Sequence, residues 1–235
     1  MTFALYHLML RNQVTRARLF GLLALGAVGV LTGLAIGSSD IVDHQLAGAR
    51  FVDTYGLALL APVATLVFAS AALGDPNEDG TLVYLWLRPV PRWRVIVASV
   101  SSSITVTWPV VVGPLLVAAS VTGAGPDLVR GTAVAATVAV VSYSAVFVAL
   151  GLRVKRALMW GLLYILIWEG FVAQANASAA RLAIRSYTRS LLAEVGDTYL
   201  RLADVSLSAA YLVPFVVGAA AGVYATVRLR RQDVT

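Results

Sequence analysis

Residues 74–94 read GDPNEDGTLVYLWLRPVPRWR, and they are the one place where polar and charged residues are crowded between two apolar runs of membrane length. A helix is predicted to begin here, because Asp75 suits the N-cap, Pro76 the first helical position and Glu78 a capping box. Pro89 ends that helix after about twelve residues, or roughly 18 Å. The predicted helix is therefore too short to cross a bilayer.

This predicted helix has an apolar stripe formed by Leu82, Leu85 and Trp86 at positions i, i+3 and i+4. Such a stripe has to be covered, and two interpretations are open at this point. The helix rests on the membrane with its apolar face in lipid, or it inserts into a partner protein. Gly80 slightly favours a partner, because its bare Cα allows another backbone to approach closely.

Two short motifs within the segment are similar to those of a known family. Residues 78–82 (EDGTL) and 88–92 (RPVPR), followed by an apolar run, resemble the acidic-Gly-Thr-Leu … Pro-x-x-Arg signature after the second transmembrane helix of ABC-2 type transporter permeases. The resemblance covers nearly the whole chain, because the motif lies within a matching layout of six spans. The family usually has glutamate directly before the glycine, where this chain has Asp79. In the family this segment is the cytoplasmic coupling helix, which docks into a groove on a separate ATPase subunit.

The resemblance implies roles for residues of this segment and for partners outside the chain. The implied ATPase-coupling residues are Asp75, Glu78, Asp79, Arg88 and Arg92 as polar contacts, Leu82, Leu85 and Trp86 in the groove, and Gly80, Thr81 and Pro89 within the motif. A second permease subunit, identical or related, would form the substrate path together with this one. ATP and magnesium would bind to the ATPase subunits, and no cofactor is expected in this chain.

The composition predicts an all-α integral membrane protein with a single transmembrane domain over residues 1–235. Hydrophobic residues make up 59% of the chain and charged residues 13%, and the mean hydropathy is +0.82, far from the values of soluble globular proteins. The absence of cysteine excludes disulfides and thiolate metal sites. A formal charge of +6 would suggest nucleic acid in a soluble protein, but the positions of these charges indicate a membrane orientation instead, so no nucleic-acid partner is expected.

Six apolar runs predict transmembrane helices at 19–36, 56–73, 95–117, 131–150, 157–172 and 208–227. An amphipathic interfacial helix is predicted over residues 1–18, before the first span. The coupling segment is 74–94, between the second and third spans, and short extracellular helices are predicted over 173–207, between the fifth and sixth spans. The first run is rich in glycine, which predicts close packing against a neighbouring helix. Pro109 and Pro114 predict a kink that lines a pathway, although proline is also common in membrane helices for structural reasons.

The arginines orient the predicted spans. Twelve of the 18 Lys and Arg residues fall in four segments: the N-terminal segment, 74–94, the short loop at 153–156 and the C-terminus. With six spans, all four segments lie on the same side of the membrane. The positive-inside rule puts both termini in the cytoplasm. The preference for arginine, 17 against one lysine, fits a GC-rich bacterial genome, so we expect a multi-pass protein of the bacterial plasma membrane.

The predicted extracellular segment carries Arg181, Arg185 and Arg189 at positions i, i+4 and i+8 of an amphipathic helix. That helix is predicted to break near residues 196–197, with a second short helix after it. Two interpretations remain open. The basic face is solvated above a helix that rests on lipid, or the arginines meet lipid phosphates or an anionic substrate at the exit.

Glu169 is the only ionisable side chain within the predicted spans. Placing a charged group there costs free energy unless the group is paired or hydrated. We take it as a candidate for the substrate path or the subunit interface, with Trp168, Pro109 and Pro114 as speculative neighbours on that path. The alternative is that Glu169 reaches water near the outer end of its span. Trp168 in turn suits packing or interface anchoring better than a ligand cage.

Enzymatic motifs are missing from the sequence. His7 and His44 fall on opposite predicted sides, and the chain has no zinc-binding spacing, nucleophile elbow or phosphate-binding Gly-Lys-Ser/Thr loop. The missing phosphate-binding loop indicates that the chain has no ATPase site of its own, and the resemblance implies a permease subunit of an ATP-driven exporter of a small molecule, lipid or drug-like compound. A non-transporting scaffold or regulatory subunit remains an alternative, and a heme- or metal-handling subunit a weaker one.

Overall fold

The computed structural model describes residues 2–80, 90–175, 177–201 and 205–231. Within these ranges the chain is helical and has no β-strand. Six helices are long and apolar enough to cross a membrane, and we refer to them in order as the first to sixth spans: Arg16–Gly37, His44–Glu78, Arg92–Val121, Pro126–Arg153, Ala157–Ala175 and Leu207–Arg231. The predicted all-α, six-span architecture of a multi-pass membrane protein is confirmed at this level.

The second and fourth spans form the centre of the bundle. Most of their apolar surface is buried, and the fourth span packs against the second, third and sixth spans. The largest fully buried side chains include Phe68 of the second span and Tyr143 and Phe147 of the fourth. The first and sixth spans lie outside and leave most of their apolar side chains exposed, as expected for helices that face lipid.

The second span is longer at both ends than its apolar run. It begins at His44, so residues 44–55, which precede the predicted span 56–73, are helical as well. Its far end continues through Asp75 and Pro76 to Glu78, with the Asp79 amide donating to the Asp75 carbonyl at 2.9 Å. The predicted helix start at Asp75 is therefore wrong, because a span that is already helical extends through these residues.

Gly80 is predicted to lie inside a helix, but in the structure it lies directly after the end of one. Its φ angle of +68° places it in the left-handed region, directly after the C-cap residue Asp79. Glycine is the usual residue at this position, because it carries no Cβ to clash with the carbonyl oxygen. Gly80 therefore ends the second span. The predicted coupling residues Thr81, Leu82, Leu85, Trp86, Arg88 and Pro89 lie outside the described residues.

The N-terminal helix Thr2–Gln13 packs against the third span. Gln13 is fully buried, and its amide bonds to the hydroxyl groups of Ser102, at 2.8 Å, and Ser103, at 3.1 Å. Met9 and Leu5 lie one and two turns before Gln13 and are buried on the same face. The helix predicted over 1–18 ends at Gln13, and it is held by the protein through this face.

The glycine-rich face of the first span packs closely against the third span, as predicted. A Cβ atom on Gly33 would lie 2.5 Å from the Ala118 carbonyl oxygen, and one on Gly26 would lie 2.9 Å from Cγ of Pro114. Pro114 thus contacts the first span. The third span is helical through both Pro109 and Pro114.

Two segments of the bundle are π-helical. Val52–Leu60 lies within the second span and Tyr164–Val172 within the fifth, each nine residues long, and the two segments are in contact. Uninterrupted π-helix of this length is rare, and single π turns within α-helices occur frequently at functional sites. Each segment carries one buried acidic residue, Asp53 in the first and Glu169 in the second.

Beyond the fifth span, the chain forms the short helix Ala177–Ala180 and the longer helix Ile184–Val195, which we call the arginine helix. The arginine helix packs against the fourth and sixth spans and the first π-helical segment. The second short helix predicted after residues 196–197 is absent from the described residues 198–201 and 205–206.

Candidate buried ion cluster and the cavity beside it

Asp53 forms a buried ion triad with two arginines of the arginine helix. Its Oδ2 atom accepts from Nη2 of Arg185 at 3.0 Å, and its Oδ1 atom accepts from Nε of Arg189 at 2.9 Å. The exposed fractions are 6% for Asp53, 7% for Arg185 and 5% for Arg189. Because all three charges are removed from water, each depends on its partners for stabilisation.

The local structure explains how three side chains so distant in sequence meet. Arg185 and Arg189 are four residues apart on the arginine helix and therefore lie one above the other on the same face. That face is turned toward the first π-helical segment, where Asp53 is the second residue.

The predicted solvated basic face is wrong for Arg185 and Arg189, whereas Arg181 is exposed and lies in the turn before the arginine helix. The periodicity of a helix identifies its two faces but does not say which one meets the bundle. Here both faces are buried over residues 184–192, and a carboxylate from a distant part of the chain supplies the countercharge that makes burial of the arginines tolerable.

Gln174 at the end of the fifth span completes the coordination of the two guanidinium groups. In the amide orientation that presents its oxygen to them, it accepts from Nη1 of Arg185 at 2.8 Å and from Nη2 of Arg189 at 3.2 Å. Nη1 of Arg189 also donates to the Arg201 carbonyl oxygen at 3.2 Å. Nε of Arg185 is buried and has no acceptor.

Glu169 forms a second buried polar cluster, next to the triad. Its carboxylate accepts from the hydroxyl groups of Tyr143 in the fourth span and Tyr164 in the fifth, the latter at 3.0 Å. Only 1% of Glu169 is exposed, so the alternative in which it reaches water is wrong. The expectation that this acid lies within a span is confirmed, and within this chain it faces the interior of the bundle.

Neither tyrosine partner of Glu169 was among the residues proposed for the path. Trp168 is half-buried, Pro109 is exposed on the third span, and Pro114 packs against Gly26. Sequence reasoning also missed Asp53, because it fell three residues before the apolar run. The sequence contained two signals for this contact. One was an acid next to a span, and the other was the set of three arginines at helical spacing in a distant segment.

A cavity of about 340 Å³ opens beside the triad. The residues that line it are Arg50, Asp53, Thr54, Gln174, Arg185, Arg189, Tyr199, Leu200 and Arg201. Four arginines and one aspartate thus surround one space, and Arg50 and Arg201 are exposed at its edge. The positive charge of this lining favours an anionic ligand.

At the other end of the second span, the acidic residues have weaker partners. Oδ2 of Asp75 accepts from Nη2 of Arg18 at 2.9 Å, with 41% and 29% of the two side chains exposed. Oε1 of Glu78 accepts from the backbone N–H of Arg156 at 2.6 Å. Two of the predicted coupling residues therefore tie the second span to the first span and to the loop before the fifth, whereas Asp79 is exposed.

No protein-family model matches the chain, and no curated protein is similar to it at a significant level. The resemblance to ABC-2 type permeases therefore depends on the motif and the order of the spans. Among the described residues, no group of three or more histidine, aspartate or glutamate side chains is placed to hold a metal ion.

Proposed function

We propose that this chain is the permease subunit of an ATP-driven transporter whose ATP is hydrolysed by a separate subunit. The observation that carries the proposal is the continuity of the second span, which runs helically from His44 to Glu78. Near its start it holds Asp53 of the buried triad, and its end leads into the segment that resembles a coupling helix. One helix thus connects the predicted docking segment with the polar interior.

In this proposal, movement of the ATPase subunits displaces the segment after Glu78. The displacement reaches the first span through the Arg18–Asp75 ion pair and the loop before the fifth span through the Glu78 contact with the Arg156 amide. It also reaches Asp53 along the second span. Because an unpaired buried charge is costly, Arg185 and Arg189 move together with Asp53.

The implied assembly contains a second permease subunit and two ATPase subunits that bind ATP and magnesium. The substrate, a small molecule, lipid or drug-like compound, is exported along a path between the two permease subunits. The concentration of arginine on one side supports a bacterial plasma membrane protein with both termini in the cytoplasm. In that orientation the arginine helix is extracellular.

The test is co-purification of an ATPase subunit from mild detergent with the chain and with the variant Leu85→Asp/Trp86→Asp. We expect the ATPase to accompany the wild-type chain in stoichiometric amount and to be lost from the variant, because two carboxylates cannot enter an apolar groove. Leu8→Asp is the matched control, since Leu8 is 59% exposed on the N-terminal helix and lies outside the segment. Retention of the ATPase and of transport in the double variant would show the proposal to be wrong. Absence of any partner from the wild-type chain would favour the scaffold alternative.

A further inference from the structure

The cavity beside the triad has more positive charge than the chain neutralises. Asp53 is shared by Arg185 and Arg189, and Glu169 behind them is occupied by two tyrosine hydroxyl groups. Among the described residues, neither Arg50 nor Arg201 has a carboxylate within ion-pair distance. The two arginines at the cavity edge are thus available to an anion from outside the chain.

One residue of the cavity wall also carries an unsatisfied donor. Arg185 lines the cavity and is more than nine-tenths buried, yet its Nε–H has no acceptor within the protein. A buried donor on a charged group is costly when it is left without an acceptor. Because this nitrogen is itself buried, an acceptor in the cavity would reach it only after the Arg185 side chain rotates.

We propose that this cavity binds a phosphate group, carried by a lipid headgroup or by a soluble phosphate. The oxygens of a phosphate accept several N–H bonds at once from planar guanidinium groups, and its charge matches the excess of arginine. The volume of about 340 Å³ is at the lower end of the range for small-molecule sites. The site requires neither an ATPase nor transport, so it is independent of the function proposed above.

The experiment uses the full chain, purified in dodecyl maltoside, a detergent without phosphate. Binding of inorganic phosphate and of dioleoylphosphatidylglycerol, added to the micelles, is measured separately by the shift in thermal unfolding. We expect Arg50→Gln/Arg201→Gln to weaken binding by about tenfold or more, because it removes two charge-assisted donors. Both residues are exposed, so the variant is expected to fold, which circular dichroism checks.

Arg130→Gln is the matched control. Arg130 lies in the first turns of the fourth span, its side chain is 72% exposed, and its ion pair is with Asp127, outside the cavity. We expect this variant to bind like the wild-type chain. Equal weakening by the control and the double variant would indicate a general charge effect and overturn the proposal.

The two ligands distinguish the sources of the phosphate group. Binding of phosphatidylglycerol alone, lost in the double variant, assigns a lipid headgroup to the cavity. Binding of inorganic phosphate with the same dependence on Arg50 and Arg201 assigns a soluble phosphate. Failure of the wild-type chain to bind either ligand shows that the proposal is wrong.

Discussion

The second span carries an aspartate near each end, and the two are held very differently. Asp53 is 6% exposed and lies between two buried arginines, whereas the side chain of Asp75 is 41% exposed and pairs with Arg18 alone. Water screens the Asp75 pair more strongly than the Asp53 triad, whose side chains are almost entirely buried. The charges near Asp53 therefore fix the structure of the bundle, while those near Asp75 can exchange their partners at little cost.

The largest effect is expected from Asp53→Asn. The substitution leaves two buried guanidinium groups without a countercharge, so we expect the free energy of unfolding to fall by about 3–5 kcal/mol. Denaturant unfolding in detergent measures this loss. Asp75→Asn serves as the control, and a comparable loss in both variants would remove the distinction between the two ends.

Replacing Asp53 and Arg189 together should lower the free energy of unfolding by less than the two single substitutions added together. We expect Asp53→Asn/Arg189→Gln to be more stable than the sum of the two single variants predicts by about 1–3 kcal/mol, because it leaves one buried guanidinium group, that of Arg185, without a countercharge instead of two. A double-mutant cycle on unfolding free energies gives this coupling. Strictly additive losses would mean that Asp53 and Arg189 do not stabilise each other.

Glu169→Ala should cost about 1–3 kcal/mol of unfolding free energy, because it leaves the buried Tyr143 hydroxyl and the largely buried Tyr164 hydroxyl without their acceptor. Glu169→Gln should cost less than the alanine variant, since the amide can accept from one tyrosine and donate to the other. The same unfolding assay compares them. An alanine variant as stable as the glutamine variant would contradict the observed hydrogen bonds.

The smallest effect is expected at the Asp75 end. Asp75→Asn should change the unfolding free energy by less than about 1 kcal/mol, because the lost ion pair is open to water. Added salt should reduce the effect further by screening. Repeating the measurement at low and high salt checks both statements, and a loss of several kcal/mol would show that this end is as rigid as the triad.

The sequence predicted the elements that arise from local composition. Apolar runs located all six spans, and the glycines of the first span predicted its close packing. The second span was cut short because Asp53 and its polar neighbours interrupt the apolar run, although burial and ion pairing keep them in the helix. At the other end, Asp75, Pro76 and Glu78 suit the start of a helix, but the second span was already helical when it reached them.

The candidate site was only partly predictable, because its partners are distant in sequence. Arg185 and Arg189 were recognised together with Arg181 as a basic stripe, but Asp53 lies 132 residues before Arg185, and no local pattern records that contact. Glu169 was identified by its rarity within a span, whereas its tyrosine partners look like ordinary core residues in the sequence. The π-helical segments have no signature in the hydrophobic pattern.

The first π-helical segment determines how the second span tolerates the deletion of a residue. Its hydrogen bonds close from i to i+5, so the segment Val52–Leu60 accommodates residues that an α-helix of the same height has no room for. Deleting one residue after Asp53 would let the segment relax toward α-helical geometry, because α turns hold fewer residues than π turns. The parts of the span on either side, and Asp53 with them, would then keep their faces toward the bundle. A one-residue deletion in this segment should therefore be less harmful than one within the α-helical residues 61–73, where it would turn one part of the span by about 100° relative to the other.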